Sequence, residues 1–298
     1  MAWRRLGKLF EPPSDHAWMA SHASYPCPFE LEPNVYGVLF SSRDKLNRSS
    51  TGYLVVSLGP SPVVLDLHNG PILTPGEPGS FDDSGTTPCA VVVSGHQTFL
   101  YYLGWNLGTT VPFRNSIGLA VSENGAGFHK HSKVPIMDRS EEDPLSLSYP
   151  SVVEENGEFK MWYGTTRAWS YKEYEMLHVL TNARSSDGIH WTRSGVDVIA
   201  PSAQDEYAFS RPSVIKHGAK YRMWFSVRGP YYRIGYAESP DGITWERDDS
   251  KFGLDRGDDD WENEMVEYPA VVSNGDSLFM FYNGNQYGKT GFGVVVWE

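Results

Sequence analysis

A chain of 298 residues with 25 basic and 37 acidic side chains carries a formal net charge of −12, which speaks against nucleic acid as a partner. No apolar run approaches the roughly 18 residues that a membrane span requires. Aromatic residues at 14%, with 29 glycines and 20 prolines, give the composition of a turn-rich, all-β protein.

The first ten residues, Met1-Ala-Trp-Arg-Arg-Leu-Gly-Lys-Leu-Phe10, are basic but lack the apolar stretch of an export signal. Cys27 and Cys89 are therefore expected as unpaired, buried packing residues of a cytoplasmic protein.

Prolines 26, 88, 150, 212 and 269 recur at intervals of 62 residues three times and 57 once. A fixed period of this size marks a repeat architecture. Copy one has Tyr25-Pro-Cys-Pro-Phe29 and then Tyr36-Gly-Val-Leu-Phe40. Copy two has Thr87-Pro-Cys-Ala-Val91, Phe99-Leu-Tyr-Tyr102 and Ile117-Gly-Leu-Ala-Val121. Copy three has Tyr149-Pro-Ser-Val-Val153 and Phe159-Lys-Met-Trp-Tyr163. Copy four has Arg211-Pro-Ser-Val-Ile215, Tyr221-Arg-Met-Trp-Phe225 and Ile234-Gly-Tyr-Ala-Glu238. Copy five has Tyr268-Pro-Ala-Val-Val272 and Leu278-Phe-Met-Phe-Tyr282. These aromatic and β-branched runs suit half-buried strands.

A turn signal closes the repeat in Ser185-Ser-Asp-Gly-Ile-His-Trp191 and Ser239-Pro-Asp-Gly-Ile-Thr-Trp245. A weaker form stands at Ser122-Glu-Asn-Gly-Ala-Gly-Phe128. Asp-Gly is expected to supply the positive φ of a two-residue hairpin between strands three and four. Each repeat thus predicts four antiparallel strands, the blade of a β-propeller. Residues 1–298 form one domain of five blades. Copy five runs out after Gly291-Phe-Gly-Val-Val-Val-Trp297. Trp3-Arg-Arg-Leu-Gly7, similar to Trp191-Thr-Arg-Ser-Gly195, is expected to complete it and close the ring.

The phase of the repeat sorts the loops. Asp-Gly turns fall on one face and read as structural. Loops entering strand one, and loops joining strands two and three, fall on the other and ring an axial funnel. There the carboxylates Asp82, Asp83, Asp138, Asp143, Glu206, Glu264 and Glu267 accumulate. So do seven of the fifteen arginines: Arg43, Arg48, Arg114, Arg139, Arg167, Arg211 and Arg228. Carboxylates gathered from different blades can hold different pKa values and act as acid and base, and arginine suits carboxylate or phosphate.

Two positions ahead of the prolines stand Ser24, Thr86, Ser148, Ser210 and Glu267. Only Glu267 ionises, which makes it the leading catalytic candidate, followed by Asp83 and Glu206. Arg43, Arg48, Arg114 and Arg211 are candidates for holding an anionic group. His22, Trp105, Asn106, Asn115, Tyr232 and Asn283 are further substrate-binding candidates, Trp105 and Tyr232 by stacking on a sugar face. No phosphate loop, Cys–His pair or His-rich metal spacing occurs, so neither cofactor nor metal is expected.

The Tyr-Pro-Ser-Val and Met-Trp-Tyr runs resemble those of the five-bladed propellers of glycoside hydrolase families 43, 32, 68 and 130. Phe81-Asp-Asp-Ser-Gly85, Gly104-Trp-Asn-Leu-Gly108, Val111-Pro-Phe-Arg-Asn115 and Tyr282-Asn-Gly-Asn285 are similar to a group of bacterial glycosidase-like propeller proteins, frequently associated with surface-polysaccharide gene clusters. The resemblance implies cleavage or rearrangement of a glycosidic bond in the funnel, by a hydrolase or phosphorylase.

Those hydrolases carry acids on blades one, two and three. Here blade one has His22 and Ser24 and blade three has Ser146 and Ser148, and only Asp82 or Asp83 matches, on blade two. The expected substrate is a sugar or sugar conjugate bearing phosphate or carboxylate. The alternatives are a non-catalytic carbohydrate-binding or scaffold propeller, or a transferase or lyase-type enzyme of polysaccharide or natural-product assembly.

Overall fold

The computed structural model describes residues 2–13, 15–123, 127–172 and 175–298. The weak turn signal at Ser122–Phe128 falls partly on residues 124–126, outside the described residues.

The strands group into five antiparallel units of four. Blade one comprises β2 (Ser21–Glu32), β3 (Val35–Arg43), β4 (Ser49–Ser57) and β5 (Val63–Leu67). Blade two comprises β6 (Gly85–Ser94), β7 (Gln97–Leu107), β8 (Phe113–Glu123) and β9 (His129–Lys130). Blade three comprises β10 (Leu147–Glu155), β11 (Glu158–Lys172), β12 (Glu175–Ser185) and β13 (Thr192–Ile199). Blade four comprises β14 (Ala208–His217), β15 (Lys220–Arg228), β16 (Tyr232–Ser239) and β17 (Glu246–Arg247). Blade five comprises β18 (Glu267–Asn274), β19 (Ser277–Asn283), β20 (Phe292–Trp297) and, from the other end of the chain, β1 (Trp3–Phe10).

The expected closure is therefore present: β1 pairs antiparallel with β20, Trp3 opposite Trp297. The innermost strands touch in turn, β2 to β6, β6 to β10, β10 to β14, β14 to β18, and β18 back to β2. The apolar core divides accordingly into five clusters, one at each junction between blades. Each fully buried large side chain there contributes about 1.5–3 kcal/mol. Cys27 packs in the cluster between blades one and two, and both cysteines are free and buried, as expected.

The Pro-Ser-Val motif joins blade to blade. The Ser151 hydroxyl accepts from the Val214 amide at 3.0 Å, and the Ser213 hydroxyl accepts from the Val271 amide at 2.9 Å.

The Asp-Gly turns are structural, but not as two-residue hairpins. Six residues separate β12 from β13. Asp187 Oδ1 accepts from the amides of Ile189 and His190, both at 2.8 Å, and Asp241 Oδ1 repeats this with Ile243 and Thr244. Only the glycines take positive φ, 74° at Gly188 and 78° at Gly242. Their carbonyls accept from the preceding blade, from the Tyr101 hydroxyl at 2.9 Å and Trp162 Nε1 at 2.8 Å. The side-chain cap replaces the second left-handed residue.

A second periodic device holds each of blades two to five together. A buried carboxylate, six or seven residues ahead of the proline, meets a cation from the outermost strand. The pairs are Asp82 with Lys130 at 2.7 Å, Asp143 with Arg193 at 2.9 Å, Glu206 with Arg247 at 2.8 Å and Glu262 with Arg5 at 3.0 Å. Tyr102, Tyr163 and Tyr282 donate to three of these acids. In blade four Phe225 takes the tyrosine position, and Arg233 supplies a second cation. In blade one the contact is apolar, with Trp18 against Phe40.

Arg5→Ala leaves Glu262, which is fully buried, without its cation. The expected loss is on the order of 3 kcal/mol of unfolding free energy, measured by urea titration at neutral pH. Arg4→Ala, which breaks an exposed pair with Glu298, is expected to change it far less.

Candidate active site

The residue immediately ahead of each proline decides the axis. Tyr25, Tyr149, Arg211 and Tyr268 all have left-handed backbone, with φ of 57°, 31°, 53° and 57°. The register of each innermost strand slips at the same place. This bulge turns a side chain that would face a blade into the channel. The strained backbone is caught by the neighbouring blade. Asn283 Oδ1 accepts from the Tyr25 amide and Ser226 Oγ from the Tyr268 amide, both at 2.8 Å.

Three tyrosines and an arginine therefore fill the axis. Tyr25 lies between Tyr149 and Tyr268, with ring centroids 4.7 and 4.1 Å away, and the Tyr149 hydroxyl donates to that of Tyr25 at 2.7 Å. Arg211, 2% exposed, spans the ring to donate to the carbonyls of Cys89 at 2.6 Å and Pro26 at 3.0 Å. Beside it burial raises both thiols, Cys89 to about 12, while the arginine charge opposes the shift.

Above this layer, on blades one to three, opens a cavity of about 130 Å³. Its lining includes Arg43, Trp105, Asn115, Ser41, Tyr25 and Tyr149. Among the described residues no carboxylate lines it, and Arg43 is its one side chain charged at neutral pH. The Arg43 guanidinium donates to Asn47 Oδ1 at 2.9 Å and forms no ion pair among the described residues. Trp105 is fixed by Nε1 donating to Ser49 Oγ at 2.7 Å. Larger grooves of about 850 and 810 Å³ run along the outer flanks of blades three and two, away from the axis.

Glu267 is not among the residues that line this cavity, but it lies within electrostatic reach of Tyr25, which is. Glu267 is fully buried, and among the described residues neither of its carboxyl oxygens forms a hydrogen bond of normal geometry, although the Tyr268 hydroxyl is near enough to oppose the shift of its pKa. Burial pushes its pKa well above the carboxylate range, only partly opposed by Tyr268 and Arg228. Tyr25, Tyr232, Tyr268 and Tyr287 all lie within its electrostatic reach. These surroundings favour the neutral, protonated form of the carboxyl.

The other expected residues divide. Arg43, Trp105 and Asn115 line the cavity. Tyr232 packs beside Glu267 beneath the Arg228 guanidinium, 4.8 Å away. His22 lies close to Arg43 and Lys289, and burial followed by those charges lowers its pKa to about 4. Arg48 pairs with Asp44 at the rim and Arg114 is exposed. Arg211 lies in the axis and Asn283 is a backbone clamp, donating to Ala23 and Gly291 carbonyls.

Two expected acids are tied elsewhere. Glu206 is a blade staple. Burial would raise its pKa, but Arg247 and Arg233 hold it at about 2. Asp83 binds the Asn106 side chain and the Gly79 amide, and these bonds outweigh burial and keep its pKa low. Neither holds a proton to donate near neutral pH. Asn106 in turn serves that loop, donating to Ser80 O and Asp83. The axial tyrosines lie one residue ahead of their prolines, not two, because the bulge there exchanges which side chain faces the channel. The Tyr-Pro pairs were the available signal.

An all-β ring of five four-stranded blades with an axial cavity is a five-bladed β-propeller. The chain matches no family model. Over 100% of both chains it is 43% identical to two proteins of Mycobacterium tuberculosis, "Uncharacterized protein MT1551" and "Uncharacterized protein Rv1502", and it belongs to their family. Among solved structures it is similar to a glycoside hydrolase (TM-score 0.77, 15% identity, 99% of this chain and 91% of that one). A family 130 protein, from mannoside phosphorylases that include hydrolases of β-1,2-mannosidic linkages in Candida mannan, has TM-score 0.74, 15% identity, and coverage of 100% and 94%. A thermostable family 43 glycoside hydrolase has TM-score 0.67, 18% identity, and coverage of 93% and 89%.

Two measurements check the electrostatics. An infrared difference spectrum between the wild type and Glu267→Gln at pH 7 is expected to show a protonated carboxyl band. The second concerns His178, which is buried, bonded through Nε2 to Ser148 at 2.6 Å and through Nδ1 to Thr166 at 3.0 Å. Burial, then Arg167, lowers its pKa from 6.5 to about 3. The unfolded chain thus binds the extra proton, so stability is full above about pH 6.5 and falls toward pH 3, by about 1.4 kcal/mol per unit. His178→Asn is expected to flatten that slope in urea titrations at pH 6.5 and 4.5.

Proposed function

We propose that this protein acts on a glycosidic bond of a sugar or sugar conjugate bearing an acidic group, bound in the axial cavity. Glu267 is the proton donor, Arg43 holds the anion, and Trp105 offers a face to the ring. The observation that carries the proposal is Glu267 itself, a fully buried carboxyl whose oxygens form no hydrogen bond of normal geometry among the described residues, within electrostatic reach of Tyr25 in the lining of a cavity whose charge is positive. The fold shared with glycoside hydrolases supports a sugar as the ligand.

Hydrolysis by paired carboxylates needs a second acid about 5–9.5 Å from the first. Among the described residues the cavity lining holds none, and Asp82, Asp143, Glu206 and Glu262 are committed to ion pairs. The exposed Glu175, 3.8 Å from Arg228 and sharing Arg228 and Tyr287 with Glu267, is one remaining candidate, and phosphate beside Arg43 is an attacking group that needs no second side-chain acid. The same lining supports a second proposal from a different class, a propeller that binds an acidic sugar without cleaving it.

A panel of neutral and acidic aryl glycosides, assayed with and without inorganic phosphate, separates these. Glu267→Gln is expected to lower kcat about 10²–10⁴-fold with little change in KM. Arg43→Met is expected to raise KM for acidic substrates. Full activity in Glu267→Gln sinks the catalytic assignment, and binding of acidic glycans with no turnover by the wild type selects the second proposal.

A further inference from the structure

Glu267 is fully buried and stands opposite Asn283 in the sheet, and residues 284–291 then carry the chain from β19 to β20. Within that turn Gln286 (φ 57°, ψ 42°), Tyr287 (φ 60°, ψ 34°) and Gly288 (φ 78°) are successively left-handed. Two of them carry a Cβ, and such residues normally visit this conformation singly. The Tyr287 ring sits edge-on against Tyr232 at 6.0 Å, with one side exposed and the other within electrostatic reach of Glu267.

The ends of the turn are anchored by several bonds and its middle by few. Asn285 accepts from the amides of Glu264 and Met265 and donates to Asp260 O and Asn263 Oδ1. Gly284 packs so closely on Trp261 that a Cβ would lie 2.0 Å from its carbonyl oxygen. At the far end the Gly291 amide donates to Gly288 O. Between these points Tyr287 is tied to the rest of the ring by the Ser24 hydroxyl, which donates to its carbonyl, and by the Tyr232 ring.

We propose that the Gln286–Gly288 turn is a gate. In the closed form Tyr287 and Tyr232 seal Glu267, and release of the turn from Ser24 swings Tyr287 outward and exposes the carboxyl to the funnel. Strained backbone and a buried acid with no hydrogen bond of normal geometry coincide here, and opening relieves both. The gate regulates the site proposed above and takes its purpose from the assignment of Glu267 as the acid. Its mechanics stand apart from that assignment.

Carbodiimide coupling of glycine ethyl ester to Glu267 in the full chain, read by peptide mass spectrometry, tests the gate without a substrate. Slow labelling is expected in the wild type and in Tyr287→Phe. Labelling at least ten-fold faster is expected in Tyr287→Ala and Ser24→Ala, with exposed Glu30 unchanged throughout. Rapid labelling of the wild type, or an unchanged rate in whichever of the two opened variants folds with a wild-type unfolding midpoint, overturns the gate. If the opened variants label fast while Glu267→Gln keeps full activity, the gate stands and the catalytic assignment falls.

Discussion

The axis of the propeller depends on one backbone irregularity repeated around the ring. In four blades the residue ahead of the proline is left-handed, and the bulge throws its side chain onto the axis. An L-residue holds this conformation only where its surroundings compel it. The compulsion here comes from the adjacent blade, through Asn283 and Ser226, so blade contacts and axial contents stabilise one another. The result is an axis filled by tyrosine rings and a guanidinium. The cavity opens above that layer and the buried acid lies beside it.

Charge is partitioned in a way that the net value of −12 hides. The innermost acids of blades two to five are consumed by Lys130, Arg193, Arg247 and Arg5. Each pair shields a buried carboxylate that would otherwise be costly to leave unpaired. With those acids withdrawn, the cavity is left cationic through Arg43, and burial among aromatic rings shifts Glu267 toward its neutral form. Glu267 and Arg43 thus occupy different chemical environments, one aromatic and buried and the other polar and open, and Tyr25 neighbours both.

Much of the architecture was legible in the chain because it is periodic. The proline spacing marked five blades, and the similarity of Trp3-Arg-Arg to Trp191-Thr-Arg disclosed the closing strand. That similarity had a deeper cause: Arg5 and Arg193 are equivalent members of the ion-pair staple. Glu267 stood out as the ionisable residue in a column of serines and threonines. Glu206 and Asp83 drew attention as loop acids because composition cannot distinguish a carboxylate facing a cavity from one facing an arginine. Their partners, Arg233, Arg247 and Asn106, lie 23 to 41 residues away in the chain.

Sequence alone determined what repetition can encode: an all-β ring, its blade count, its closure, and the face on which each loop emerges. These follow from local strand preference and turn chemistry, which each repeat states again. Tertiary structure decided which side chains reach the axis, which acids are neutralised, and where Glu267 lies buried. Those outcomes turn on a one-residue bulge and on pairings across blades, and a shift of one position moves a side chain from a blade interior to the channel. The left-handed turn near Glu267 belongs to the same category, since only packing against Trp261, Tyr232 and Ser24 holds three successive residues in a conformation their own chemistry disfavours.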